Sequence, residues 1–406
     1  MSLQLLAILT AAGGMGMLAL THNAAAEYFM FSVLIAVMLV TYAASRMSIR
    51  ALTLRREISS RVFENDPMSI HLEVANRGRF PRFLLDVNDS LPEFVQADGE
   101  HDFAVPSLWP GEQVTLTYAA RALKRGVYTW SPLQLSASDP FGVFQRYVPF
   151  EAAAEAVVYP RPVELYGSVS RVGVEARGQS TGERARGSES GLDFYSIRDY
   201  WPGDELRRIH WPATAHHGRL TVIEFDRGAS EEVVVVLDAS VGSEFGSGLD
   251  SSLEVGVRAA ASLVHWALCG EGIAHLAVPF SGGPQWVTVD QAQREHDILE
   301  LLARVKADSP TPPSALVSWA AQYLTLDENV VIITARPDGA LPGAVAALVR
   351  RRASVSVLLL DAPSFYPKAP DPRDATDALR AIGVRVVTFR RGGDLRQALT
   401  DVLIYS

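Results

Sequence analysis

The chain has 406 residues, which at roughly 150 residues per domain allows two or three folded units and excludes a single small module. Its 37 Lys and Arg against 46 Asp and Glu leave a net charge of −9, the reverse of the basic footprint that general nucleic-acid binding requires. One cysteine, Cys269, excludes an intrachain disulfide and any multi-cysteine metal site. The three lysines, Lys124, Lys306 and Lys368, follow no glycine, so no GxxxxGK[ST] phosphate loop is present and the chain is not a phosphate-loop ATPase.

Leu3 to Leu20 and Tyr28 to Ala44 carry no formal charge. About 17 to 20 such residues cross a hydrocarbon core of roughly 30 Å. Residues 1–48 are therefore expected to form a two-helix membrane hairpin. Its connection, THNAAAE, holds no Lys or Arg, whereas Arg46, Arg50, Arg55 and Arg56 follow the second span. The positive-inside rule places both ends, and so the bulk of the chain, on the cytoplasmic side of the inner membrane. A signal peptide cleaved after Ala24 to Ala26 is the rival reading, but its amino-terminal region would lack any basic residue. Gly13, Gly14 and Gly16 would let the two spans approach closely.

Residues 50–160 alternate apolar and polar positions in short runs such as SIHLEVANRG and QVTLTYAARAL. Breaks every eight to twelve residues predict an all-β sandwich with one buried face per sheet. Residues 161–190, rich in Gly, Ser and Arg, predict a flexible bridge. Gly178, Ser180 and Gly182 match GxSxG, but no strand precedes and no helix follows to make a nucleophile elbow. We read that match as chance.

Residues 229–406 read differently. Short β-branched runs at 233–238, 274–280, 329–334, 354–361 and 384–389 alternate with helical stretches at 253–269, 291–306, 315–324, 345–352, 375–382 and 394–403. Near-continuous apolar strands between amphipathic helices predict an open, mostly parallel α/β sheet covered on both faces. Ligands of such sheets lie at the carboxyl ends of the strands. Cys269, in the apolar run LVHWALCG, is expected to be buried and inert.

Residues 191–228 form the densest polar segment, beginning GLDFYSIRDYWPGDELRRIHWPATAHHGRL. Arg198, Arg207 and Arg208 offer planar forks to Asp193, Asp199 or Glu205, and Asp204 can cap the run that follows it. By chemistry alone the segment is either a structural clasp or a surface for a partner or ligand. His216 and His217 are adjacent rather than at metal-ligand spacing and read as surface or clasp residues.

Gly191, Asp193, Phe194, Arg198, Tyr200, Gly203, Asp204, Arg207, Ile209 and Trp211 fall at the spacing of a known signature. With Lys124 to Phe144 and VVYPRP at 157–162, they resemble a family of bacterial membrane-anchored proteins of unknown function. That family carries a von Willebrand factor A-like domain and is typically encoded beside MoxR-type AAA+ ATPases. The resemblance spans essentially the whole chain, with Asp193 where Glu is more usual and His216 where an arginine is expected. It implies a von Willebrand factor A-like fold for residues 229–406 and a MoxR-type ATPase as partner.

Domains similar to this hold Mg²⁺ through an Asp-x-Ser-x-Ser loop after the first strand, with a threonine and an aspartate from later loops. Here VVLDASVGS supplies Asp238 and Ser240 but Gly242 at the third position, with Ser243 adjacent. Thr311 is an approximate match for the threonine, and Asp338 lies further along than expected for the aspartate. Asp238 and Ser240 are thus the ligands of a degenerate site, in which Mg²⁺ would bind weakly.

Two functions follow. The first is a non-enzymatic membrane-anchored adaptor or scaffold that works with a MoxR-type ATPase on client proteins at the membrane, with no cofactor. The alternative is a hydrolase or transferase using the signature acids and arginines, for example Asp193, Asp204 and Arg198, whose clustering could shift carboxyl pKa values.

Overall fold

The computed structural model describes residues 3–22, 25–138, 144–165, 194–199, 214, 221–225, 232–325 and 328–403. The chain divides into two units, Met1–Tyr159 and Pro160–Ser406.

The first unit begins with helices α1 (Leu3–His22) and α2 (Ala25–Ser48). Among the described residues one helix, Ala25–Ser48, is long and apolar enough to cross a membrane. The expected close approach of the two helices falls on one glycine. A Cβ on Gly16 would sit 3.1 Å from the Phe31 ring, whereas one on Gly13 or Gly14 would meet nothing within 4 Å.

Eleven strands follow: β1 (Leu52–Ile58), β2 (Arg61–Phe63), β3 (Pro67–Asn76), β4 (Arg82–Asn88), β5 (Val95–Ala97), β6 (Asp102–Leu108), β7 (Gln113–Ala122), β8 (Gly126–Thr129), β9 (Leu133–Ser138), β10 (Gln145–Phe150) and β11 (Glu155–Tyr159). They make two antiparallel four-stranded sheets, β1-β3-β7-β5 and β10-β9-β4-β6, and a small sheet β2-β11-β8. The period-two pattern explains the layering. Met68, Ile70, Leu72 and Val74 of β3 are fully buried while Ser69 and His71 between them are exposed. Their inward faces meet Leu85, Val87, Leu133 and Leu135 of the second sheet in one core. Each such side chain contributes about 1.5–3 kcal/mol of burial.

In the second unit β12 (Phe194–Asp199) pairs antiparallel with β13 (Thr221–Phe225), with an irregularity between Phe194 and Ser196. The main sheet comprises β14 (Glu232–Leu237), β15 (Ile273–Phe280), β16 (Gly283–Val289), β17 (Asn329–Thr334), β18 (Ser354–Leu360) and β19 (Arg385–Phe389), in the order β16-β15-β14-β17-β18-β19. All neighbours run parallel except the edge pair β15 and β16. One antiparallel edge strand leaves the sheet mostly parallel, as expected. Ser281 and Gly282 turn the chain back directly, and Gly283 at φ +117° starts the return, so a hairpin replaces the crossover a parallel strand would need.

Helices cover both faces, as the buried runs require. Val234 and Val236 of β14 join Leu316, Val317, Leu341, Val345 and Leu348 in the core on one side. Leu237 points to the opposite side, where a Cβ on Gly256 would stand 3.3 Å from it and from Leu360. Gly256 therefore lets the helix Ser252–Cys269 lie close against the sheet. Ser251 caps that helix by accepting from the Glu254 N–H at 3.4 Å.

Cys269 corrects an expectation, because it is exposed. The helix presents Leu253, Val257, Ala260, Leu263, Val264 and Leu268 inward. Cys269, the last residue of the helix, falls about 100° round from Leu268 and faces out.

Candidate functional site

The sheet order reverses direction between β14 and β17. The first crossover from β14 leads outward to β15, and later crossovers lead the other way to β18 and β19. In open α/β sheets a crevice forms at the carboxyl ends of two such strands. β14 delivers Asp238, Ser240 and Gly242 to this point, and β17 delivers Thr334, Arg336 and Asp338.

Asp238 is 6% exposed, and three donors hold it. The Ser240 N–H and hydroxyl donate to Oδ1 at 2.9 and 2.7 Å. The Thr334 hydroxyl donates to Oδ2 at 2.7 Å. Burial pushes the carboxyl above the usual aspartate range and the nearby charge of Asp338 adds to that, while the bonds from Ser240 and Thr334 oppose it. The backbone is pinned as well. Asp238 N–H donates to Ile333 O at 2.9 Å, and Ser240 makes a parallel bridge with Ser309.

Beside this clasp lies a pocket of about 420 Å³ lined by Ser240, Val241, Ser309, Arg336 and Asp338, with Pro310, Pro312, Pro313 and Pro337 as its stiff walls. Val241 is 62% exposed. Asp338 turns inward: its Oδ2 accepts the Ser314 hydroxyl, and its Oδ1 is buried without a partner. Arg336 is exposed. Its side chain makes one long bond, Nη1 to Val241 O at 3.4 Å.

The donor set does not suit the hard-cation site that Asp238 and Ser240 suggest. Each oxygen of Asp238 already accepts at least one hydrogen bond, so little of the carboxylate is left for a cation. Two unpartnered oxygens, Ser243 Oγ and Asp338 Oδ1, remain nearby, but their residues line different spaces. Ser243 lines a cavity of only about 10 Å³, the size of one water, whereas Asp338 lines the larger pocket. Mg²⁺ needs a near-octahedral oxygen shell, most of it water. Gly242, at the third motif position, supplies no hydroxyl ligand, and the tip of the Arg336 side chain lies where a Cβ on it would stand. Thr311 donates its N–H to Ser309 Oγ at 3.2 Å and is not among the residues lining the pocket.

Of the signature residues, Phe194 and Arg198 lie on β12, where Arg198 is in register with Val222 of β13. Gly191, Asp193, Tyr200, Gly203, Asp204, Arg207, Ile209 and Trp211 lie outside the described residues, as do the GxSxG match and His216 and His217. Thr334, Ser309 and Arg336 were not anticipated as site residues. The signal for Thr334 and Arg336 was their place at and just beyond the end of a predicted parallel strand.

Comparison with known proteins adds four observations. "Uncharacterized protein YeaD" of Bacillus subtilis (strain 168) is 24% identical over 233 residues, 55% of this chain and 55% of that relative. The chain thus spans about half the length of the curated relative it matches. Among solved structures, the CARDB domain of a Pyrococcus furiosus protein is 17% identical over 27% of this chain and 94% of its own, with a TM-score of 0.19. Native alpha-2-macroglobulin from Escherichia coli is 20% identical over 27% of this chain and 17% of its own, with a TM-score of 0.21. Residues 196–329, which run from β12 through Asp238 and Ser240 to the first residue of β17, match the family described as Protein of unknown function DUF58.

Proposed function

We propose that the chain is a non-enzymatic membrane adaptor whose α/β unit, of the von Willebrand factor A-like kind, docks a MoxR-type AAA+ ATPase and directs it to client proteins at the membrane. In this reading Leu3–His22 and Ala25–Ser48 form a two-span anchor, with both soluble parts on the cytoplasmic side. The observation that carries it is the pocket at the strand ends. Four of its nine lining residues are proline, so its walls lose little further freedom on binding and are organised in advance for a partner. The identity of the partner rests on the sequence resemblance.

The test is to purify the tagged full-length protein from native membranes in mild detergent, with ATP and Mg²⁺ present, and to identify what accompanies it by mass spectrometry. Near-stoichiometric recovery of an AAA+ ATPase, reduced by Arg336→Glu, is the expected result. Recovery of no ATPase sinks the adaptor reading. A reporter fused after Ser406 tests the topology, and activity on the outer side of the membrane would overturn it.

A further inference from the structure

We infer that the strand-end site binds a carboxylate without any divalent cation, the Arg336 guanidinium standing beside Gly242 as a built-in positive charge. Its ligand is an acidic side chain of a partner protein, a specification that rests on the adaptor reading above.

The first support is steric. Gly242 has φ +81°, and the space a side chain would take there is filled by Nη1 of Arg336. The glycine thus serves both the left-handed turn and the seating of the guanidinium.

The second support is the balance of charge at the pocket surface. Asp238 is buried, with three donors already on its two oxygens. Asp338 directs Oδ2 at Ser314 and keeps Oδ1 away from solvent. Arg336 is exposed, and among the described residues no carboxylate lies within ion-pair distance of it. What the pocket offers is therefore a guanidinium with most of its five donors unused. That fork matches the two oxygens of a carboxylate in one plane.

The third support is the fixed backbone on either side of the guanidinium. Val241 O, which holds Nη1, belongs to the segment fixed by the Val241 N–H bond to Ser309 O at 2.8 Å. The Arg336 N–H is held by Thr334 Oγ1 at 3.1 Å. The same hydroxyl that clamps Asp238 thus sets the backbone from which the arginine projects.

Two measurements on the full-length protein in detergent test the inference. The first is Mn²⁺ binding by electron paramagnetic resonance. Equal uptake by wild type and Asp238→Asn is expected, and uptake that Asp238→Asn abolishes would overturn the metal-free site. The second uses a fluorescent hexaglutamate peptide in EDTA, with hexaglutamine as control and acetate and inorganic phosphate as competitors. Hexaglutamate should bind, acetate should compete better than phosphate, and Arg336→Ala should weaken binding at least about tenfold, the loss of one charge-assisted contact. Arg336→Lys should fall between. No binding, equal binding of hexaglutamine, better competition by phosphate, indifference to Arg336→Ala, or a requirement for Mg²⁺ would each overturn it. If these arms succeed while no ATPase is recovered from membranes, the adaptor reading alone has failed.

Discussion

Thr334 donates its hydroxyl to Oδ2 of Asp238 at 2.7 Å and receives the N–H of Arg336 at 3.1 Å, so one side chain joins the ends of β14 and β17. It does so where the sheet order reverses, at the point where two neighbouring loops would otherwise diverge. The hydroxyl is 96 residues from its acceptor in sequence, and both groups are buried.

Replacing Thr334 by Val keeps the shape and removes the bond. Oδ2 of Asp238 would then lack its donor in a buried position, at a cost of about 1–3 kcal/mol. Thermal unfolding of the full-length protein should show a lowered midpoint for Thr334→Val and a near-normal one for Thr334→Ser. A Thr334→Val midpoint equal to wild type would mean the clasp contributes nothing to stability.

Asp238 should leave a signature in pH dependence. Its folded pKa is raised, first by burial and then by Asp338. A raised acid contributes stability that is fully present below the unfolded value near 3.9 and is lost as pH rises through the folded value. Asp238→Asn carries no such titration and retains an oxygen for Ser240. The stability of Asp238→Asn relative to wild type should therefore grow from pH 4 upward and level off above the folded pKa. Unfolding midpoints measured across pH 4 to 8 will show this, and a constant difference would contradict the raised pKa.

The first unit has a polar clasp of its own. The side chains of Arg56 and Asp89 are both 0% exposed. Arg56 Nε donates to Asp89 Oδ2 at 3.1 Å, and its Nη1 donates to Ala152 O at 2.7 Å. Tyr118 adds its hydroxyl to Asp89 Oδ2 at 2.7 Å, and burial followed by that bond drives its phenol pKa upward. Removing one partner strands a buried charge, so Asp89→Ala should cost about 3–5 kcal/mol, whereas replacing both ions by apolar residues of similar volume should cost far less. Denaturant unfolding of Asp89→Ala beside the double variant Arg56→Met, Asp89→Leu distinguishes the two. Equal losses would mean the pair is no more than packing.

These two clasps mark where sequence reading succeeds and stops. The strands themselves are legible because burial on one or both faces writes a period of two or a continuous apolar run, as in SIHLEV and VVVVLD. Asp238 and Ser240 are legible because they follow such a run directly. Arg336 is not, because only the fold brings it beside Gly242, 94 residues earlier in the chain. Arg56 looks like one of several juxtamembrane arginines, and only the fold turns it inward to Asp89. β16 escaped because PQWVTV is half-exposed and lacks the continuous apolar run of its neighbours.

Cys269 escaped for a related reason and leads to a last prediction. An apolar run does not say which residue ends the buried stripe of a helix. The thiol is exposed, lies 3.6 Å from His265 Nε2, and the other ring nitrogen of His265 lies 3.0 Å from Glu295 Oε1. The order Cys, His, Glu resembles a nucleophile with an oriented base, yet the local electrostatics run the other way. Partial desolvation, then the charge of Glu295, hold the thiol pKa above its ordinary value. The thiolate is the reactive species, so accessibility and reactivity should separate. Iodoacetamide should label the native protein slowly at pH 7, with the rate rising only at a pH above that at which a free cysteine reacts. Glu295→Gln removes the second cause and should move that rise to lower pH. Rapid labelling at pH 7, abolished by His265→Ala, would instead show that His265 activates the thiol.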